Sequence, residues 1–114
     1  MNITVELLEE NMKVTGIIKG EIDAFTAPVL REKLAEINLS EDLQVELDLS
    51  GVSYMDSTGL GVFVGFYKSV KASNSHLELT GLSSRLKRLF DITGLGEIMD
   101  IQAAGKEVKI DETV

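Results

Sequence analysis

Segments in which apolar and polar residues alternate are interleaved along this chain with segments of helical spacing. The clearest alternation places Val45, Leu47 and Leu49 between acidic residues. A strand buried on both faces would be apolar throughout, so this alternation indicates strands with one buried and one polar face. We therefore expect a sheet that is covered by helices mainly on one face.

The predicted order of elements is β-β-α-β-α-β-α-β, an α/β (α+β) fold with a mixed sheet. A strand–helix–strand order requires some parallel strand pairs with right-handed crossovers. The length suits one domain, which we expect over residues 1–103, followed by a frayed tail at 104–114. In chain order the predicted segments are strands at 3–8 and 12–18, a helix from 26 or 27, a strand at 44–49, a helix at 57–71, a strand at 77–80, a short helix after 83 or 84, and a last strand at 98–101.

The composition argues against several classes of function. A formal net charge of −8 is unfavourable for binding to nucleic acid or to an anionic membrane surface. The sequence has no cysteine and a single histidine, His76, so we expect no disulfide, no metal site and no cofactor. No apolar stretch approaches the roughly 20 residues that span a bilayer, and the N-terminus does not resemble a signal peptide. We therefore expect a cytoplasmic protein that does not bind membranes.

The turn between the third strand and the second helix carries the run Asp-Ser-Thr-Gly-Leu-Gly at 56–61. Asp, Ser and Thr commonly cap free N–H groups at a helix start, and capping alone is one interpretation of Asp56 and Ser57. The other interpretation is regulatory, because a phosphate on the Ser57 hydroxyl would face unpaired N–H groups and the positive end of the helix dipole. No nucleophile-and-base pair accompanies this hydroxyl. We therefore predict a site that other proteins bind or modify, and not an enzyme.

Three glycines follow this hydroxyl within the predicted helix. Gly59 and Gly61 remove bulk beside Ser57, and Gly65 comes four residues after Gly61. Glycine costs a helix about 1 kcal/mol relative to alanine, so three of them suggest that another element of the domain or a partner packs closely here. The neighbouring Val62 and Phe66 have two interpretations: they form a docking patch if they are exposed, or they belong to a broad buried face.

The loop before the first helix supplies a second pair of polar residues, Asp23 and Thr26. One interpretation is that Asp23 caps the turn or helix that follows it. If the fold brings this loop beside Ser57, Asp23 would instead form an acidic rim together with Asp56.

Three segments of the chain resemble the STAS-domain anti-sigma factor antagonists of bacteria, also called anti-anti-sigma factors. They are the motif at 56–61, the run Gly-Glu-Ile-Asp-Ala-Phe-Thr-Ala-Pro at 20–28, and the strand and turn at 45–52. The order of elements matches this family over residues 3–101. The resemblance is greatest to the antagonists of the general-stress sigma factor in Bacillus-like bacteria, with the sporulation branch as the alternative.

The resemblance implies a mechanism of partner switching. Ser57 would be the phosphorylation site, with Thr58 as the alternative acceptor. The unphosphorylated protein would bind an anti-sigma factor that is also an ATP-dependent serine kinase, and so release a sigma factor. Phosphorylation would end that binding, and a metal-dependent serine phosphatase would restore it.

The predicted fold and the motif together suggest a set of partner-contact residues. Two alternatives stay open: a nucleotide phosphate held at the glycine-rich helix start, and a STAS subunit of a sensory or transport complex. The expected partner-contact residues are Asp23, Thr26, Met55, Asp56, Ser57, Thr58, Gly59, Gly61 and Val62.

Overall fold

The computed structural model describes residues 2–97 and 100–103 of the chain. The observed order of strands and helices confirms the prediction. Its elements are β1 (Ile3–Glu10), β2 (Lys13–Ile22), α1 (Ala27–Ala35), β3 (Gln44–Met55), α2 (Ser57–Ala72), β4 (His76–Leu82), α3 (Ser84–Ile92), a 3₁₀ turn (Leu95–Glu97) and β5 (Asp100–Ala103). The tail predicted at 104–114, and residues 98 and 99 of the predicted last strand, lie outside the described residues.

The five strands form one sheet in the order β1-β2-β3-β4-β5. β1 and β2 are antiparallel, and each following pair is parallel. From β2 to β5 each strand is followed along the sheet by the next one in the chain. Right-handed crossovers that all proceed in one direction lie on the same face of a sheet, so α1, α2 and α3 cover one face. The side chains agree, since Val45, Leu47 and Leu49 are buried whereas Glu46 and Asp48 on the other face are partly exposed.

The hydrophobic core lies between the covered face of the sheet and the three helices. Phe63 of α2 and Phe90 of α3 meet edge to face with their ring centroids 6.1 Å apart. Both rings are completely buried, as are Ile18, Leu47 and Leu79 of the central strands. This packing anchors α2 to the sheet and so holds the start of α2 in a defined place.

β1 and β4 extend one or two residues beyond the predicted ends, and β2 and β3 extend further still. β2 reaches Ile22 and β3 reaches Met55, where the predicted strands ended at residues 18 and 49. The alternation breaks at glycines, but register shifts between residues 17 and 19 and between 20 and 21 carry the pairing past the break, as β-bulges do. The longer strands bring the segments that follow them to one edge of the sheet.

Of the helices in the described ranges, none combines the length and the apolar character that a membrane crossing needs.

Candidate functional site

The two predicted polar segments meet at the edge of the sheet where β2 and β3 end. Ile22 is paired with Met55 in the parallel register. The backbone N–H of Asp56 donates to the carbonyl oxygen of Ile22 at 3.2 Å. The loop at residues 23–26, called the β2–α1 loop below, therefore starts beside the start of α2.

Asp56 is the N-cap of α2. Its Oδ1 accepts hydrogen bonds from the backbone N–H groups of Thr58 at 3.0 Å and Gly59 at 3.2 Å. Ser57 is the first residue of the helix and is exposed. No hydrogen bond of its hydroxyl occurs within the described part of the chain. Asp56 therefore caps α2, and the Ser57 hydroxyl is available to a partner.

The cap also changes one expectation about this site. From the sequence, unpaired N–H groups were expected in front of a phosphate on Ser57. In the structure two of these groups, on Thr58 and Gly59, already donate to the carboxylate of Asp56. The helix dipole remains as the favourable influence on a phosphate at this position.

The glycines of α2 divide into two kinds. A Cβ on Gly59 would lie 2.5 Å from Cγ2 of Ile22 and 3.0 Å from its carbonyl oxygen, so Gly59 permits close packing within the domain. A Cβ on Gly61 or Gly65 would meet nothing within 4 Å. These two glycines therefore leave the surface of α2 bare for about two turns beyond Ser57.

This bare surface borders a groove between α1 and α2. The groove has a volume of about 330 Å³ and is lined by both glycines and by Arg31, Leu34, Ala35, Val62, Phe66 and Ser69. Val62 and Phe66 are themselves buried, so they belong to the broad buried face of α2 and not to an exposed apolar patch.

The β2–α1 loop is closed by its own hydrogen bonds. Oδ1 of Asp23 accepts from the backbone N–H groups of Phe25 at 2.9 Å and Thr26 at 3.1 Å. The Thr26 hydroxyl donates to the carbonyl oxygen of Glu21 at 2.7 Å and accepts from the backbone N–H of Asp23 at 2.9 Å. Asp23 is 9% exposed and Thr26 5%. Asp23 therefore caps this turn and does not form an acidic rim with Asp56.

The predicted contact residues fall into two groups in the structure. The exposed or partly exposed members surround the start of α2, and the buried members support them. The first group consists of Asp56, Ser57, Thr58 and Gly61, and the second of Asp23, Thr26, Met55, Gly59 and Val62.

Phe25, which lies between the two buried polar residues of the β2–α1 loop, was not among the residues expected at this site. Its side chain is 78% exposed. Its exposure follows from the closure of the loop by Asp23 and Thr26, which only the structure shows.

His76 lies away from this site. It is the first residue of β4 and so lies at the opposite edge of the sheet, where its Nε2 is 3.6 Å from Oδ1 of Asp42. Across residues 2–97 and 100–103, no group of three or more His, Cys, Asp or Glu side chains is arranged to hold a metal ion.

Comparison with known proteins places the chain in a family. The STAS domain model matches residues 9–113. A protein of Listeria monocytogenes named anti-sigma-B factor antagonist is 50% identical over 103 residues, which cover 90% of each chain. A Bacillus subtilis protein of the same name is 52% identical over 103 residues, covering 90% of this chain and 94% of that protein. The crystal structure of an anti-sigma factor antagonist from Mycobacterium paratuberculosis has the same fold, with a TM-score of 0.80 and 21% identity, over 93% of this chain and 90% of that one. The chain belongs to the STAS-domain family, within its group of anti-sigma factor antagonists.

Proposed function

We propose that this protein binds an anti-sigma factor through the surface around Ser57 and that phosphorylation of Ser57 ends the binding. The observation that carries the proposal is the exposed hydroxyl at the first residue of α2, beside a cap supplied by Asp56. The names of the curated relatives support the choice of partner, because they are antagonists of an anti-sigma factor.

The free protein should tolerate a phosphate on Ser57 without a change of fold. A phosphoserine carries about −1.5 to −2 charges at neutral pH. The N-terminus of a helix stabilises such a charge by roughly 0.3–1 kcal/mol when exposed. The carboxylate of Asp56 opposes this effect, so the net change in the stability of the free domain is small.

A docked partner changes this balance. A negative charge on the phosphate and one on an acidic group of the partner, about 5 Å apart, repel by roughly 3 kcal/mol at an effective dielectric constant near 20. Burial of the phosphate against a protein surface adds a cost of desolvation. A total loss of about 3–4 kcal/mol weakens binding several-hundred-fold. The switch is local and electrostatic, and the fold of the protein stays the same.

The proposed partner is an anti-sigma factor that is also an ATP-dependent serine kinase, and a metal-dependent serine phosphatase reverses its action. The unphosphorylated protein then frees a sigma factor of the stress-response type. In this scheme the protein acts in the cytoplasm as a binding module and carries out no catalysis. A single domain over residues 1–103 with a tail at 104–114 is sufficient for that role.

A nucleotide at the start of α2 has less physical support. A bound phosphate would need the backbone N–H groups of the first turn. Two of these groups, on Thr58 and Gly59, are already hydrogen-bonded to Asp56.

The proposal is tested with the purified anti-sigma factor encoded in the same genome. Ser57→Ala should bind it and remain bound in the presence of ATP, whereas Ser57→Asp should bind several-hundred-fold more weakly. Equal affinities of the two variants would contradict the proposal. Thr58→Ala separates the two possible acceptors, because it should still accept one phosphate if Ser57 is the site.

Ser84→Asp is a matched control for the added charge. Ser84 is also an exposed first helical residue that follows a capping side chain, since Ser83 accepts a hydrogen bond from the backbone N–H of Leu86 at 3.2 Å. Gly81, three residues before Ser84, lies beside Ser50, which is five residues before the end of β3: a Cβ on Gly81 would lie 2.9 Å from Cβ of Ser50. The start of α3 is therefore further from the edge where β3 ends than the start of α2 is. Ser84→Asp should bind like the wild type.

A further inference from the structure

Phe25 is exceptional among the four phenylalanines of this chain. Phe63, Phe66 and Phe90 are buried, whereas Phe25 is 78% exposed. Exposure of a large apolar side chain forgoes the stabilisation that its burial would give. Among the exposed large apolar residues of the described chain, Phe25 has the largest exposed fraction, closely followed by Ile92 at 76%.

The backbone that carries this ring is held in one conformation. Phe25 and Thr26 both donate their N–H groups to Oδ1 of Asp23. The N–H of Ala27 donates to the carbonyl oxygen of Asp23 at 2.8 Å, which connects the loop directly to α1. An aromatic side chain on a rigid backbone loses little conformational freedom on binding, and such side chains are frequent anchors of protein interfaces.

The exposed residues that neighbour Phe25 in the chain are apolar. Ala24, Pro28 and Val29 are also exposed, and the intervening Thr26 and Ala27 are buried. Together Ala24, Phe25, Pro28 and Val29 form what we call the apolar patch. The nearest carboxylate in sequence, that of Asp23, is turned into the loop and buried. The patch therefore suits an apolar pocket of a protein partner.

The apolar patch begins on the loop that starts beside the start of α2. The β2–α1 loop begins at Ile22, whose backbone is hydrogen-bonded to Asp56, the residue before Ser57. A stable interface covers about 800 Å² on each partner, which is far more than one helix turn provides. A partner close enough to Ser57 to be repelled by a phosphate is expected to cover neighbouring surface as well.

We propose that the apolar patch, with Phe25 as its anchor, is bound by an apolar pocket of the same anti-sigma factor that covers Ser57. This inference rests on the proposed function. It divides the interface into two parts: Ser57 makes binding sensitive to phosphate, and Phe25 contributes affinity in a manner that does not depend on phosphate. If the partner phosphorylates Ser57, loss of the Phe25 side chain raises the KM for this protein and leaves kcat unchanged.

The test compares dissociation constants for the purified anti-sigma factor, measured by calorimetry with the full-length protein. Phe25→Ala should weaken binding by about 10-fold or more, as expected for an aromatic anchor, and Phe25→Tyr should retain most of the affinity. Ile92→Ala, which truncates an equally exposed side chain on α3, should bind like the wild type. Thermal unfolding should show that all three variants are folded.

The possible outcomes separate this inference from the proposed function. If Phe25→Ala binds like the wild type while Ser57→Asp loses binding, the anchor is wrong and the function stands. If Ser57→Asp binds like the wild type, the proposed function is wrong and the anchor falls with it. If Phe25→Ala leaves the affinity unchanged but abolishes self-association of the free protein, the patch is occupied by a second copy and our assignment is overturned.

Discussion

The loops that follow β2 and β3 use the same turn for different purposes. In each, an aspartate at the strand end accepts hydrogen bonds from the backbone N–H groups two and three residues later. Asp23 does so with Phe25 and Thr26, and Asp56 with Thr58 and Gly59. The two turns start side by side, because β2 and β3 end at paired residues.

The two turns differ in which side chains they bury and which they expose. In the first turn Asp23 and Thr26 are both buried, and the apolar ring of Phe25 is exposed. In the second turn Asp56 is partly exposed and directly precedes α2, and the Ser57 hydroxyl is exposed. The comparison shows that the aspartate determines the backbone of each turn, while the residues within the turn determine what a partner meets.

The largest expected effect on stability comes from the buried turn. Asp23→Ala removes the acceptor of two backbone N–H groups, one of them buried and one partly buried, and an unsatisfied buried donor costs about 1–3 kcal/mol. We expect the free energy of unfolding in urea to fall by about 3 kcal/mol. Asp23→Asn keeps an acceptor oxygen and should lose less. A smaller loss for Asp23→Ala than for Asp56→Ala would contradict the distinction between the two turns.

The next largest effect on stability is expected at Gly59, which packs against Ile22 where the two turns meet. Gly59→Ala places a Cβ 2.5 Å from Cγ2 of Ile22 and 3.0 Å from its carbonyl oxygen, and the backbone atom cannot rotate away. Overpacking of this kind costs about 1–3 kcal/mol, so we expect a loss of about 2 kcal/mol. Chemical denaturation measures it. Unchanged stability would show that the start of α2 is not held against the end of β2.

The exposed turn should be less sensitive. Asp56→Ala removes an N-cap, which costs about 0.5–2 kcal/mol. We expect a loss near 1 kcal/mol in the same denaturation experiment. Asp56→Ser, which keeps a capping oxygen, should recover most of it. If Asp56→Ala has no effect, the cap contributes nothing to the start of α2.

The smallest effect has the opposite sign. Gly61→Ala and Gly65→Ala add a methyl group to open space within α2. Because alanine favours helix over glycine, each should raise the free energy of unfolding by about 0.5–1 kcal/mol. Gly61→Ala should at the same time weaken binding of the anti-sigma factor, since the bare surface lies one turn from Ser57. Stabilisation without any loss of binding would remove Gly61 from the interface.

The order of elements was predictable because alternation and helical spacing are local properties of the sequence. The apolar alternation of Val45, Leu47 and Leu49 and the cap at Asp56 are examples. The extent of β2 and β3 was not predictable in this way. Their pairing continues through register shifts near Gly20 that depend on the neighbouring strand.

The site was predictable to a similar degree. The position of Ser57 at the start of α2 was predictable because its motif lies in a short stretch of sequence. The burial of Asp23 and the exposure of Phe25 were missed, because both depend on hydrogen bonds that form only when the β2–α1 loop closes. The separation of Gly59 from Gly61 likewise depends on a contact with Ile22, which is distant in sequence.

The most direct test of the central claim is the affinity of the anti-sigma factor for the unphosphorylated protein and for the protein fully phosphorylated on Ser57. Calorimetry with both forms at the same ionic strength measures the two dissociation constants. The account predicts that phosphorylation weakens binding several-hundred-fold, which corresponds to about 3–4 kcal/mol, while the unfolding transition of the free protein changes little. Equal dissociation constants for the two forms would contradict it.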